Sequence, residues 1–147
     1  MEDFKHCVWL SPTAGHPWHG FIAGVPAHVT VGSYLSTNAD ARRVAAQVDR
    51  PIVVERTGPL YATEVNGFHA LVQDVAPVGR DHCPDWWPHG AHVSFGYQYN
   101  RPHSTLDAAT IERKLADTPQ QATLSVVRCT RGTGHFSEWE VLGESEL

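Results

Sequence analysis

The sequence predicts an α+β fold made of two similar halves. Two short segments share one pattern, an imidazole followed two positions later by a hydroxyl group: His28-Val29-Thr30-Val31 and His92-Val93-Ser94-Phe95. Each segment continues through a glycine to a tyrosine and precedes a helical pattern. A repeated pattern in a repeated context indicates an internal duplication, in which two half-domains face each other across a shared cleft.

The first half reads as a strand, a helix and further strands. Asn38 can cap a helix with one apolar side, and Pro51 is placed to stop that helix. The Asn66-Gly67 pair is a strong hairpin signal, because a tight turn needs residues that tolerate positive φ. Gly58-Pro59 supplies another turn. We therefore expect three strands after the helix, over residues 52–56, 60–65 and 68–76.

The second half repeats this order. After the second motif, Asp107 can cap a helix that ends before Pro119. Two strands are expected beyond it, over residues 122–130 and 135–142, joined by a turn at Gly132-Thr133-Gly134. The predicted organisation is therefore β-α-β-β, twice, with one further strand in the first half.

The residue types of the two motifs suit phosphodiester chemistry. Side chains two positions apart in a strand point to the same face, so each motif presents an imidazole beside a hydroxyl. Opening a cyclic phosphodiester needs two proton transfers in opposite directions, and two histidines can supply the base and the acid. The hydroxyls can hold the phosphoryl oxygens. The predicted catalytic residues are His28, Thr30, His92 and Ser94.

On these motifs the chain resembles the two-histidine phosphoesterases, and within them the plant and yeast cyclic nucleotide phosphodiesterases. Residues 6–12 resemble the first strand of that subfamily, and the ending Glu138-Trp139-Glu140-Val141 resembles its last strand. Residues 13–25 depart from it, with Gly, Pro, His and Trp in place of a helix. The resemblance implies a bilobal, duplicated α+β fold with two antiparallel sheets and flanking helices around a central cleft.

The resemblance also implies an activity: metal-independent hydrolysis of 2′,3′-cyclic phosphates of ribose, with a 2′-phosphate product and ADP-ribose 1″,2″-cyclic phosphate as a further substrate. It implies no cofactor. Tyr97 stands where the family carries a substrate-contacting tyrosine, and Tyr34 is its counterpart after the first motif. Trp87 lies in a loop where a nucleobase can stack on it, or where it covers the end of the sheet. Which histidine is the base stays open, because the two motifs are nearly symmetric.

Three other functions compete with this hypothesis. One is a phosphodiesterase of 2′-5′ oligoadenylates or cyclic oligonucleotide messengers, as a virus could carry. Another is a binding module that holds a nucleotide or an RNA end without hydrolysis. The third is a zinc hydrolase that uses His82, Cys83 and His89. The spacing of these three residues matches none of the usual zinc pairs, so we expect no metal.

Length, charge and cysteine content limit the possible domain organisation, partners and localisation. A chain of 147 residues fits one domain, residues 1–147, made of two pseudo-symmetric lobes. With 11 basic and 16 acidic residues it lacks the basic surface that long nucleic acids need, so the expected partner is a small nucleotide or short oligonucleotide. Three widely spaced cysteines give no disulfide framework. No targeting or membrane segment is apparent, and we expect a cytoplasmic monomer.

Overall fold

The computed structural model describes residues 5–12, 15–22, 27–35, 37–48, 51–65, 67–78, 86–88, 90–131 and 140–143. Within them the fold is α+β, as predicted. The elements in chain order are β1 (Lys5–Ser11), a 3₁₀ helix (Pro17–Phe21), β2 (Val29–Leu35), α1 (Asn38–Ala45), β3 (Ile52–Val65), β4 (Phe68–Pro77), β5 (His92–Tyr99), α2 (Thr105–Ala116), β6 (Gln121–Arg131) and β7 (Glu140–Gly143).

The predicted order β-α-β-β is confirmed in both halves, as β2-α1-β3-β4 and β5-α2-β6-β7. The strands are antiparallel and follow the order β2-β1-β6-β3-β4-β5, with β7 also paired to β6. Strand β6 joins two groups, because its residues 121–124 pair with β3 and its residues 125–131 pair with β1. Each motif strand therefore lies at an outer edge, two strands away from the β6–β3 boundary. These two edges, β2 and β5, contact each other.

The β3–β4 hairpin forms where the Asn66-Gly67 pair predicts it. Val65 pairs with Phe68, and Gly67 has φ +82°. The predicted turn at Gly58-Pro59 is wrong, because β3 continues through these residues as one strand. Gly58 has φ +69° and lies within a register shift between Thr57 and Tyr61, so its positive φ supports a bulge rather than a chain reversal.

Both helices begin at hydroxyl residues that precede the predicted caps. The N-cap of α1 is Thr37, not Asn38, and Thr37 Oγ1 accepts a hydrogen bond from the Asp40 backbone N–H over 3.1 Å. The N-cap of α2 is Ser104, and Asp107 is the third helical residue of a reciprocal capping box. Hydroxyl, amide and acidic side chains can all cap a helix, and in both helices the earlier hydroxyl residue does so.

Buried side chains fill both faces of β1. Leu10, on one face, belongs to the largest core cluster, which includes Val29, Val93 and Phe95. A second cluster on the other face, the Trp9 cluster, consists of Cys7, Trp9, Ile22 and Cys129, with Phe68 and Tyr97 packed against it. Of the helices in the described ranges, none is both long and apolar enough to cross a membrane.

Candidate functional site

The first motif is anchored on β1. The His28 ring stacks on the Trp9 indole with centroids 3.7 Å apart and planes 9° from parallel. His28 is only 7% exposed. Thr30 pairs with Trp9 across β1 and β2 and is partly exposed. Directly opposed residues share a face of the sheet, so the imidazole and the hydroxyl both lie beside Trp9.

The second motif begins β5. His92 Nδ1 lies 3.0 Å from the carbonyl oxygen of Gly90. A carbonyl only accepts hydrogen bonds, so Nδ1 carries a proton and Nε2 remains for proton transfer. Ser94 follows two residues later and is partly exposed, whereas Val93 and Phe95 are fully buried. Burial therefore alternates along β5, with His92 and Ser94 partly exposed and Val93 and Phe95 in the core.

The two motifs lie on the same face of the sheet. Cross-strand partners share a face, and so do residues two or four positions apart along a regular strand. A continuous series of such residues links the two motifs, through cross-strand pairs and through two steps of four residues along β6 and β3. In order, the series is Thr30, Trp9, Val127, Thr123, Val53, Thr57, Asp74 and His92. Because β2 and β5 also contact each other, the structure brings both imidazoles and both hydroxyls to one side of two adjacent strands.

Both motif strands bulge at the same position of the motif. On β2, Trp9 pairs with Thr30 and Val8 with Gly32, which leaves Val31 as the extra residue. On β5, Val72 pairs with Ser94 and Leu71 with Gly96, which leaves Phe95 as the extra residue. Each bulge directly follows the hydroxyl residue. Bulges redirect side chains and are common beside active sites, so the sequence repeat has a structural counterpart.

The structure places Tyr97 near the first motif. Tyr97 packs on the Trp9 cluster, and its ring centroid lies 4.8 Å from that of Phe68. Trp9 of that cluster is the stacking partner of His28. Tyr34 lies within β2, but its side chain is outside what the structure describes.

Trp87 lines a cavity that adjoins the second motif. The cavity has a volume of about 470 Å³ and is lined by Thr57, Asp74, Val75, Ala76, Trp87, Pro88, Gly90 and Ala91. Gly90 is the residue whose carbonyl accepts the bond from His92. Trp87 also packs against the largest core cluster. One ring therefore both covers the core and offers a surface beside the site, so the two predicted roles of Trp87 are compatible.

Sequence reasoning missed two residues that lie opposite the histidines. Asp74 pairs with His92, and its Oδ1 accepts a 2.7 Å hydrogen bond from Tyr61 Oη. This hydrogen bond, with burial and the charge of Asp74, raises the pKa of Tyr61 above its ordinary value of 10.0. Ser11 follows Leu10, which pairs with Val29, so it lies opposite His28. No local pattern marks Asp74 or Ser11, because only the strand register reveals their neighbours.

The zinc hypothesis rests on residues outside the described ranges. His82, Cys83 and His89 all lie there. Within the described part of the chain, no group of three or more His, Cys, Asp or Glu side chains could hold a metal ion.

No protein-family model matches the chain. No curated protein matches it. Among solved structures, the chain is similar to one described as "Structure of Kluyveromyces marxianus Usb1", with a TM-score of 0.49 and 12% sequence identity over 97% of this chain and 98% of that chain. A likeness at this level carries no conclusion about function.

Proposed function

We propose that the chain is a two-histidine phosphoesterase that hydrolyses 2′,3′-cyclic phosphates of ribose to phosphomonoesters. The observation that carries this proposal is the convergence of both motifs on one face of the sheet, at two strands that contact each other and bulge at matching positions. A structural histidine needs no such partner. Two imidazoles and two hydroxyls on one surface suit a phosphate held between them.

The reaction needs only groups that these motifs supply. One imidazole takes a proton from water as the water oxygen bonds to phosphorus, and the other gives a proton to the ribose oxygen as its bond to phosphorus breaks. The hydroxyls of Thr30 and Ser94 donate hydrogen bonds to the non-bridging oxygens, where negative charge grows in the transition state. Since the protein provides both proton transfers, the proposed mechanism assigns no step to a metal or cofactor.

The cavity beside His92 is the proposed place for the nucleobase. Trp87 offers a ring on which a base can stack, and such stacking contributes about 1–3 kcal/mol per base. Tyr97 and Tyr34 are the other proposed substrate contacts. The net charge of −5 favours a small nucleotide over a long nucleic acid. We further propose that the product is a 2′-phosphate and that ADP-ribose 1″,2″-cyclic phosphate is also a substrate.

The test is hydrolysis of 2′,3′-cyclic AMP in EDTA, with the 2′- and 3′-phosphate products resolved. We expect the parent protein to be active and both His28→Ala and His92→Ala to lose about 10²- to 10⁴-fold in kcat. His69→Ala is the control, because His69 lies on β4 and pairs with Gln98, on the face of the sheet opposite the motifs. Loss of activity in EDTA, or full activity in either motif variant, would contradict the proposal.

The same assay separates the competing functions. Much faster hydrolysis of 2′-5′ oligoadenylate or of a cyclic oligonucleotide would keep the two-histidine mechanism and change the substrate. Nucleotide binding with no turnover of any of these compounds would favour the binding module.

A further inference from the structure

The cavity beside the second motif has one charged side chain in its lining. Its volume is about 470 Å³, and Asp74 is the only ionisable residue among the described residues that line it. The others are Thr57, Trp87 and small or apolar residues. A carboxylate in a lining without a cation repels phosphate, so this cavity suits an uncharged group that donates hydrogen bonds.

Tyr61 holds the Asp74 carboxylate in one orientation. Tyr61 pairs with Val72, two residues from Asp74 on β4, and such diagonal neighbours lie within reach of a long side chain. Tyr61 Oη donates to Asp74 Oδ1 over 2.7 Å. Within the described part of the chain, no other group donates a hydrogen bond to this carboxylate and no cation pairs with it. An ionised carboxylate has about four acceptor positions, so most of them remain for a ligand.

Trp87 supplies a stacking surface in the same cavity. Its ring packs against the largest core cluster and lies 6.0 Å from the ring of Trp86, centroid to centroid. These contacts hold the indole in place. Every base has a π face, so stacking on Trp87 adds affinity without selecting a base. Selection among bases therefore depends on the polar group of the cavity, which is Asp74.

A carboxylate distinguishes the bases by the donors on their Watson–Crick edges. Guanine has two adjacent donors there, N1–H and the N2 amino group, which match the two oxygens of one carboxylate. Adenine and cytosine each have one amino group beside a ring nitrogen whose lone pair repels a carboxylate. Uracil has one N–H between two carbonyl oxygens. Of these four bases, only guanine can therefore donate two hydrogen bonds to Asp74.

The ribose of a cyclic phosphate does not compete for this carboxylate. Ribose hydroxyl groups are common donors to acidic side chains in nucleotide sites. In a 2′,3′-cyclic phosphate both of these oxygens are esters, so neither can donate. The base is then the part of the nucleotide that matches Asp74.

We propose that Asp74, oriented by Tyr61, is a specificity-determining residue that binds the N1–H and N2 amino groups of guanine. The inference rests on the proposed function and makes guanosine 2′,3′-cyclic phosphate its preferred nucleotide. The base stacks on Trp87 and turns its Watson–Crick edge toward Asp74. Asp74 pairs with His92 across β4 and β5, so the base and the second motif are adjacent.

The test compares kcat/KM for the 2′,3′-cyclic phosphates of guanosine, inosine, adenosine, cytidine and uridine. Inosine keeps N1–H but lacks the N2 amino group, so it isolates one of the two hydrogen bonds. We expect the guanosine compound to exceed those of adenosine, cytidine and uridine by about 10- to 100-fold, with inosine between them. Values within about threefold of one another, or a preference for another base, overturn the proposal.

Asp74→Asn separates base recognition from a general effect on the site. Asparagine presents one acceptor and one donor, which suit the amino group and ring nitrogen of adenine better than the two donors of guanine. We expect the guanosine-to-adenosine ratio of kcat/KM to fall about tenfold or more. Tyr61→Phe should lower the same ratio about threefold, because the carboxylate loses its fixed orientation. An equal loss on both nucleotides in Asp74→Asn would mean that Asp74 does not recognise the base.

Two further variants serve as controls. Glu64→Gln is the matched control, since it removes the same charge from an exposed residue of β3 that pairs with His69. It should change neither the rates nor the ratio. Trp87→Ala should lower kcat/KM for the guanosine and adenosine compounds alike and leave their ratio unchanged, because stacking does not select between them.

Failure of the proposed function gives a different result. If the parent hydrolyses no cyclic phosphate, that function is contradicted, and calorimetric Kd values for the same five compounds test base recognition alone. A guanosine preference that Asp74→Asn removes supports the role of Asp74. Equal Kd values for the guanosine and adenosine compounds overturn it.

Discussion

The imidazole of His28 lies flat on the indole of Trp9, with ring centroids 3.7 Å apart and planes 9° from parallel. Trp9 is fully buried in the middle of β1 and pairs with Thr30. One core side chain therefore lies beside both polar members of the first motif. The buried Trp9 indole therefore holds the His28 imidazole in one orientation, and substitution of Trp9 tests whether catalysis depends on this contact.

Replacing Trp9 should affect catalysis more than the overall fold. We expect Trp9→Phe to keep an apolar ring in the core but to lower kcat about tenfold, because a smaller ring supports His28 less well and offers a weaker face to a cation. Steady-state hydrolysis of 2′,3′-cyclic AMP measures the effect. Trp18→Phe is the control, since Trp18 is equally buried but packs on Phe95. An equal loss of kcat in both variants would show that Trp9 has no special role.

Arg56 should be a large contributor to stability. It is 5% exposed, and its guanidinium donates to Gln73 Oε1 over 2.9 Å and to the Leu115 carbonyl over 3.0 Å at the end of α2. We expect Arg56→Ala to lower the free energy of unfolding by about 3 kcal/mol, because buried acceptors would lose a charged donor. Urea denaturation measures the change.

Arg43, unlike Arg56, should contribute little to stability. It forms an ion pair with Asp40 within α1, and its side chain is 73% exposed. Arg43→Ala should change the free energy of unfolding by no more than about 0.5 kcal/mol. A similar loss in both arginine variants would mean that burial does not decide the contribution of Arg56.

Two glycines with positive φ should differ in their tolerance of a side chain. A Cβ at Gly67 (φ +82°) would lie 2.8 Å from Asn100 Oδ1, whereas a Cβ at Gly58 (φ +69°) would meet no atom within 4 Å. We expect Gly58→Ala to cost about 1 kcal/mol from backbone strain alone, and Gly67→Ala to cost slightly more because the Asn100 side chain must also move. Thermal unfolding of the two variants compares them, and a larger loss in Gly58→Ala would contradict the expectation.

The capping box of α2 should make stability depend on pH in the acid range. Hydrogen bonds from the Ser104 backbone and side chain hold the pKa of Asp107 below its ordinary value of 3.8. A carboxyl whose folded pKa is lowered stabilises the fold above its unfolded pKa, and that contribution disappears as pH falls through the folded value. The difference in Tm between the parent and Asp107→Asn should therefore be largest near neutral pH and shrink toward low pH. A constant difference would rule out this origin.

Ser104 gives an independent measure of the same cap. Its Oγ accepts the Asp107 backbone N–H over 3.0 Å. Ser104→Ala should lower the free energy of unfolding by about 1 kcal/mol. Asn38→Ala is the control, because Asn38 lies inside α1 and not at its N-cap. An equal loss in both variants would contradict the observed caps.

The elements that the sequence predicted correctly depend on short-range features of the chain. The hairpin at residues 66–67, the two helices and the repeated order of elements depend on turn residues and short-range periodicity. The observed N-caps precede the predicted ones by one and three residues, because Ser, Thr, Asn and Asp are all favoured at an N-cap and local sequence does not choose between neighbours of these types. The turn predicted at Gly58 is wrong because the positive φ that glycine permits suits a bulge as well as a turn.

The sequence by itself determined the α+β class, the β-α-β-β repeat and the four polar residues of the two motifs. Only the tertiary structure decided that β2 and β5 meet, that Val31 and Phe95 form matching bulges, and that Trp9, Ser11 and Asp74 stand beside the histidines. Short-range patterns follow from backbone geometry within a few residues, whereas strand register depends on pairing between segments far apart in the chain. The neighbours of the imidazoles are therefore set by long-range pairing.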